Sequence, residues 1–473
     1  MNTAPHYLRA RSLPEATGWL AQHPEARVLA GGQSLLPALR LGLGAASHLI
    51  DLQDLQPLHA LVVRGDALFI GALCTHAQVA RSALVQAQQP WLAQMAAHIA
   101  DPQVREMGTI GGSLANADPA ACWPAAVLAA NAVVETTQRR LPADAFFKGL
   151  FSTALARDEL IVGVHFPRVE QAAYQKFEQA ASRFAQPGVA VVRHPDGLVR
   201  VAVTGLGQGV LRWAEAEQAL SARFSQTALS NTVLSPKVAE DDVHASARYK
   251  THLAQVLCRR IVAALAGEPY TRLGAGQPPA QASASAVAAP ATSGLAGERT
   301  LQATALALWQ LVLDPQVLQR CIPGCETIQR HSEERYDAVV QVGLGLVSAR
   351  FHCTVALQPL QTPSAREGGR MRLVVSGDAG ALGRGGAQAT FALTPQADGG
   401  TLLQWQAEPV LEGKLAQIGQ RFVFAVARQL SEEFLDRLQT VATGQPPPRA
   451  PWPTRLRQRL QHILSMLNPW RSP

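Results

Sequence analysis

From Gly274 to Ala296 the chain reads GAGQPPAQASASAVAAPATSGLA, without one charged or aromatic side chain. Such a stretch cannot bury enough apolar surface to offset the entropy of ordering it. It reads as a flexible linker over 271–296, and it rules out one continuous core through the 473 residues. A second change of composition falls at Gln445-Pro-Pro-Pro-Arg449 and sets off a tail. The chain therefore divides into two units of independent-domain size and a C-terminal appendage.

Local patterns give each unit its class. In the first unit, Ser12-Leu-Pro-Glu15 reads as a capping box with proline in the first helical turn, opening a helix to about Gln22. Arg27 to Ala30 is a short strand running into a Gly-Gly turn, and Leu58 to Ala72 is a hairpin turning at Arg64-Gly-Asp66. Helices follow near 75–82 and 90–99. Glu159 to Phe166 alternates as a strand stopped by Pro167. Val189 to Leu206 is a hairpin turning at His194-Pro-Asp-Gly197, and a long helix from about Ala245 ends at Gly267 as a C-cap. The second unit opens with a strand and a helix. Alternating stretches follow at 335–342, 347–357, 370–376, 387–394 and 401–408. A helix from Lys414 to about Thr443 then places Leu415, Ile418, Phe422, Val426, Leu430, Phe434 and Leu438 on one stripe. The expected packing is a curved antiparallel sheet closed by that helix.

The cysteines at 74, 122, 258, 321, 325 and 353 form no C-x-x-C pair and no disulfide framework, which fits a reducing compartment. Cys321 and Cys325 lack the second pair that a zinc or iron–sulfur site needs, so buried free thiols are expected. Residues 1–11 hold no hydrophobic segment of a signal peptide, and no run approaches a membrane span. These features point to a cytoplasmic chain.

Two glycine-bearing loops carry the chemistry. One is Ala30-Gly-Gly-Gln-Ser-Leu-Leu-Pro37 and the other Thr109-Ile-Gly-Gly-Ser-Leu-Ala-Asn-Ala-Asp-Pro119. Glycine permits positive φ and close approach of a ligand to the main chain, and successive exposed N–H groups form an anion-binding nest suited to a pyrophosphate. Ser34, Thr109 and Ser113 add hydroxyls. No Gly-Lys-Ser/Thr follows either loop, and neither is a G-x-G-x-x-G. Singly, each is compatible with a plain strand-to-helix turn.

In this order, about eighty residues apart, the loops resemble those of the FAD-binding medium subunit of the molybdenum hydroxylases, and of aerobic carbon monoxide dehydrogenase above all. Asp158-Glu-Leu-Ile161, Tyr174-Gln-Lys-Phe177, Ala181-Ser-Arg-Phe-Ala185 and Gly188-Val-Ala-Val191 extend the likeness across residues 5–268. The resemblance implies an α+β chain: a PCMH-type FAD-binding domain at 1–168 and a C-terminal α/β flavoprotein subdomain at 169–270. It implies that Ala30, Gly31, Gly32, Gln33 and Ser34, with Thr109, Gly111, Gly112 and Ser113, grip the pyrophosphate and ribityl chain. Asp118 would accept from ribityl hydroxyls, Ile110 and Tyr174 would lie against the isoalloxazine, and Ile161 and Lys176 would contact the ring or the adenine side. A carboxylate suits a polyol, an aromatic a flat ring, and a cation favours reduced flavin. Cys122 stands where the family often has a second aspartate. No catalytic residue for the substrate and no metal ligand is implied here. Molybdopterin would sit on a large partner subunit and iron–sulfur clusters on a small one, and electrons would leave through an acceptor such as quinone or NAD.

In the second unit, Arg320-Cys-Ile-Pro-Gly-Cys325, Val347-Ser-Ala-Arg-Phe351, the stretch Gly377 to Gly386 and Gly413-Lys-Leu-Ala-Gln-Ile-Gly419 resemble the CoxG subunit of carbon monoxide dehydrogenase. That implies a separate helix-grip, START-like (SRPBCC) domain over 297–444, linked to membrane recruitment and quinone handling. In the tail, 445–473, Leu456, Leu460, Ile463, Leu464 and Leu467 share one face between Trp452 and Trp470. This is the pattern of a helix lying on an anionic membrane, or equally of one docking on a partner. Of the formal charge of +7, five arginines in 449–473 supply +5 against no acid, so the body carries +2. A body so nearly neutral does not suggest nucleic-acid binding. The residues also accommodate an assembly or recruitment factor with a vestigial flavin site, or the flavin subunit of an aldehyde, purine or N-heterocycle hydroxylase.

Overall fold

The computed structural model describes residues 5–271, 295–412 and 420–443, apart from 42–45, 181, 243–244, 333, 345–346, 365–366, 381–382 and 397–398. The linker 272–294, the segment 413–419 and the tail 444–473 lie outside the described residues.

The first unit opens on a parallel three-stranded sheet in the order His6–Arg9, His48–Asp51, Arg27–Leu29. The helix Leu13–Gln22 precedes its third strand. Ser12 accepts from the Glu15 N–H, but the Glu15 carboxylate takes the N–H of Arg11 rather than that of Ser12, so the expected reciprocal box is half made. An antiparallel five-stranded sheet follows, ordered Leu61–Arg64, Ala67–Gly71, Ile161–Phe166, Val133–Thr136, Arg140–Pro142. Both of the hairpins read from the sequence turn where expected. Short helices cover this sheet; Ala83–Gln88, between the two expected ones, was not anticipated. Its core centres on the helix Cys122–Ala129, which is buried along its whole length.

A third, antiparallel sheet runs Gln171–Glu178, Ala185–Arg193, Val199–Thr204, Leu211–Arg212. The helix Ala247–Leu265 packs on it and ends before Gly267, whose φ of +69° marks the left-handed cap. One face of this sheet joins the core of the five-stranded sheet through Ala190, Val192 and Ala202. The other buries Val189, Val191 and Val201 under the long helix. Alternate side chains thus tie two layers together.

The second unit is one antiparallel sheet of seven strands, ordered Leu295–Leu301, Thr401–Leu411, Arg384–Pro395, Gly369–Asp378, Val347–Gln361, Arg335–Leu344, Cys325–Arg330. The helices Ala305–Leu313, Pro315–Cys321 and Gln420–Ala442 accompany it. Its first strand begins at Leu295, two residues inside the expected linker, and the edge strand Cys325–Arg330 is additional to those read from the sequence. Leu435 and Leu438 of the long helix are buried against the sheet, giving the helix-grip arrangement. The expected helical turn from Lys414 lies outside the described residues.

Candidate functional site

A cavity of about 790 Å³ opens in the first unit between the parallel sheet, the five-stranded sheet and the strand Gln171–Glu178. Both glycine loops line it, Ala30–Ser34 from one side and Thr109, Gly111, Gly112 and Ser113 from another. Asp118, Ile161 and Lys176 complete the part expected from the sequence. Ile110 and Tyr174 do not stand on this wall. Ile110 opens the helix Ile110–Asn116 and is fully buried in the core, and Tyr174 packs against the same core.

Steric necessity explains the glycines. A Cβ on Gly31 would meet the carbonyl oxygen of Met107 at 2.0 Å, so the first loop lies directly on the segment leading into the second. Gly32 has a φ of +71°. A Cβ on Gly111 would meet Ala72 at 2.7 Å, which lets the helix Ile110–Asn116 seat on the five-stranded sheet.

The two loops differ in their donors. In the second, every N–H of the first helical turn is used internally. Ile110 donates to Cys74 O (3.1 Å), Gly111 to Ala72 O (2.9 Å), and Ser113 to Thr109 O (3.0 Å). Gly112 donates to Thr109 Oγ1 (3.1 Å). The expected nest of exposed N–H groups is therefore absent there, and Thr109 serves as a helix cap. In the first loop, the N–H groups of Gly31, Gly32, Gln33 and Ser34 meet no acceptor among the described residues. They are the anion-binding donors of this cavity.

Asp118 follows Ala117, whose left-handed φ of 46° ends the helix and turns the chain to the cavity. Its Oδ1 accepts from the Ala120 N–H at 2.8 Å, and Thr204 Oγ1 fastens the same segment by donating to Pro119 O at 2.8 Å. Lys176 keeps its side chain 4% exposed, donates to Arg183 O at 2.6 Å and lies 3.5 Å from Glu178. Behind it, Tyr174 Oη is buried without a hydrogen-bond partner beside the Cys122 thiol, with Gly188 making room for it. Burial pushes the Cys122 thiol up, so it stays protonated on the cavity wall. Left-handed residues cluster here: Ala100, Phe151 and Arg183 also line the cavity. Backbone strain of this kind concentrates at binding sites.

Two wall residues escaped the sequence reading. Glu159, with its side chain fully buried, takes hydrogen bonds from Arg139, Thr136 and the Ala156 N–H. The Arg139 guanidinium, with the Ala156 and Thr136 donors, overcomes the burial and holds its carboxyl down at about 2. This pins the segment ahead of Ile161. His76 is the other; its capping-box position after Thr75 was legible, its partner was not.

The second unit holds a cavity of about 390 Å³ between its sheet and helices. The wall is hydrocarbon and indole almost throughout, including Trp309, Leu318, Leu357, Phe391, Trp405 and Phe434. Ser431, one of its few polar groups, already donates to Ala427 O at 2.9 Å. Among the described residues no group of three metal-ligating side chains occurs, and no helix is long and apolar enough to cross a membrane.

Comparison with known proteins places both units. Residues 2–169 match the family described as the FAD binding domain in molybdopterin dehydrogenase, and 297–443 match the carbon monoxide dehydrogenase CoxG family. The nicotine 6-hydroxylase medium subunit of Paenarthrobacter nicotinovorans is 35% identical over 280 residues, covering 54% of this chain and 95% of that protein. The carbon monoxide dehydrogenase medium chain of Hydrogenophaga pseudoflava is 33% identical, covering 54% and 94%. The solved structure of the Hydrogenophaga pseudoflava carbon monoxide dehydrogenase lacking the Mo-pyranopterin moiety aligns with a TM-score of 0.53 and 33% identity, over 56% of this chain and 99% of that one. The cavity fits the cofactor this implies, since its unpaired main-chain donors and its carboxylate match a pyrophosphate and a polyol. The chain belongs to the FAD-binding medium subunits of the molybdenum hydroxylases, and it carries a CoxG domain on the same polypeptide.

Proposed function

We propose that the chain is the flavin electron-transfer subunit of a molybdenum hydroxylase, standing between the iron–sulfur clusters of a small partner subunit and an acceptor such as a quinone. The observation that carries this reading is the convergence of both glycine loops and Asp118 on one cavity, with free N–H groups at Gly31–Ser34. Bound FAD supplies one- and two-electron chemistry. The residues of this chain bind and orient it. The first-loop amides and Ser34 hold the pyrophosphate, and Ser113 and Asp118 meet the ribityl hydroxyls. Ile161 and Lys176 face the remaining length of the cofactor, while Ile110 and Tyr174 support the wall from behind. Thr109, Gly111 and Gly112 keep the second loop in shape. Substrate chemistry belongs to a large molybdopterin subunit; relatives named for nicotine and for carbon monoxide match at similar identity, so this chain does not carry the choice of substrate.

The hydrocarbon cavity of the second unit suits a lipophilic guest, and the covalent link keeps that guest at high effective concentration near the flavin. The CoxG domain is thus a quinone-handling and membrane-recruiting module. The basic amphipathic tail assigned to membrane contact lies outside the described residues.

The test is reconstitution. The full chain with added FAD should take on a stoichiometric flavin spectrum that bleaches when a substrate-reduced partner complex is added. A chain that stays colourless ends the flavin reading; a spectrum that never bleaches ends the electron-transfer reading. Liposome flotation of the full chain against one ending at Gly444 tests recruitment, and equal binding of the two refutes the tail's role.

A further inference from the structure

His76 opens the helix His76–Arg81 and is only 5% exposed. The segment that carries it pairs with the second glycine loop. Thr75 bridges Thr109, the His76 N–H donates to Gly108 O at 2.9 Å, and the Ile110 N–H donates back to Cys74 O at 3.1 Å. The imidazole Nδ1 lies 3.0 Å from Nε1 of Trp123, a fully buried residue. An indole N–H only donates, so Nδ1 must accept and the ring proton must sit on Nε2. Burial, helped by the nearby Arg105 cation, lowers the ring to about 4, so this tautomer is neutral at physiological pH.

The side chain lines the flavin cavity, and Nε2–H has no acceptor among the described residues. Its surroundings identify the missing acceptor. A Cβ on Gly108 would stand 2.9 Å from Nε2, and only the absence of that carbon leaves the ring edge open. On its other side Gly108 supports the first loop, for a Cβ on Gly31 would come within 2.9 Å of the Gly108 Cα. Nε2–H is therefore a polar hydrogen next to the seam where the two glycine loops touch. The first-turn amides of the second loop are spent inside the protein, so that side of the seam can offer donors only through side chains.

We propose that His76 is a binding residue for the dinucleotide, held by Trp123 as the Nε2–H tautomer so that it donates to a pyrophosphate oxygen. This rests on the flavin-site reading above. The Trp123 hydrogen bond fixes ring and proton before the ligand arrives, so the donor needs no reorganisation on binding. A neutral donor also adds a hydrogen bond to the phosphate without adding a charge beside the flavin.

The experiment uses the full chain labelled with ¹⁵N-histidine. In the free protein His76 should give the signature of a neutral, Nε2-protonated ring. Saturation with FAD should displace the Nε2 resonance, and saturation with ADP, which shares the pyrophosphate and lacks the flavin ring, should displace it similarly. In parallel, His76→Phe should weaken FAD binding about ten- to a hundredfold, the scale of one hydrogen bond to a charged group. An Nε2 resonance unmoved by FAD, or moved by FAD and not by ADP, overturns the proposal, as does unchanged FAD affinity in folded His76→Phe. The spectra of the unsubstituted chain decide the matter even if that variant fails to fold. Failure of the unsubstituted chain to take up FAD refutes the site reading; a flavoprotein in which His76 stays silent refutes this inference alone.

Discussion

Gly31→Ala is the sharpest probe of how the two loops are joined. The added methyl would stand 2.0 Å from Met107 O and 2.7 Å from Met107 C, both backbone atoms of the second loop's approach. Ordinary contact requires well over 3 Å, so the loops must part by more than an ångström. Gly31 is not among the positive-φ glycines, so the penalty is steric rather than conformational. Overpacking of this kind costs about 1–3 kcal/mol. For a folded unit of this size about 1 kcal/mol moves the midpoint by roughly 2–4 °C, so the first unit should melt about 2–12 °C lower. The same separation displaces the free amides of residues 31–34, and FAD affinity should fall at least about tenfold. Calorimetry, which resolves the melting of two units, and titration with FAD measure the two effects. Gly18→Ala is the matched control. It lies in the helix Leu13–Gln22 with nothing within 4 Å of the new carbon, so it should gain up to about 1 kcal/mol from helix propensity. Unchanged melting and unchanged affinity in Gly31→Ala would refute the claim that loop contact shapes the cavity.

Three further outcomes follow from other parts of the chain. Lys250 and Asp242 form an ion pair at 2.8 Å with both side chains fully buried, so Lys250→Met should cost about 3–5 kcal/mol by chemical denaturation, and Asp242→Asn added to it should recover part of the loss. Glu159 titrates at about 2 when folded and near 4.5 when unfolded, so its contribution is complete above pH 4.5 and drains away as pH falls toward 2; melting curves over that range should flatten in Glu159→Gln, and parallel curves would refute the role given to Arg139. Ala389 lines the second cavity at 7% exposure, and Ala389→Phe should abolish enhancement of a lipophilic dye's fluorescence while leaving the sheet folded; unchanged dye binding would move the guest elsewhere.

Much of this architecture was legible because turns and caps are local. Arg64-Gly-Asp66 and His194-Pro-Asp-Gly197 turn their hairpins through Gly65 and Gly197, both with positive φ. The strand Cys325–Arg330 was missed because an exposed edge strand needs little apolar patterning, and Ile328 is its one aliphatic side chain. The glycine loops announced a binding site, yet which of their amides are free depends on distant partners. Cys74 and Ala72 consume those of the second loop, and no spacing rule connects residue 72 with residue 111. Ile110 read as a ring contact because it sits between Thr109 and Gly111, but a helix begins at that residue and turns it inward. His76 and Trp123 are 47 positions apart, and only the folded chain makes one the keeper of the other's proton.

The unequal spending of amides on the two loops gives the cavity one jaw that is finished at folding and another completed only by its ligand. Amide hydrogens of Ile110 to Ser113 should resist exchange whether or not the cofactor is present, because their bonds belong to the fold. Those of Gly31 to Ser34 should exchange freely in the apoprotein and slow on loading. Loss of the cofactor would then leave an intact receptor with a loosened rim, and FAD could leave and return without the unit refolding.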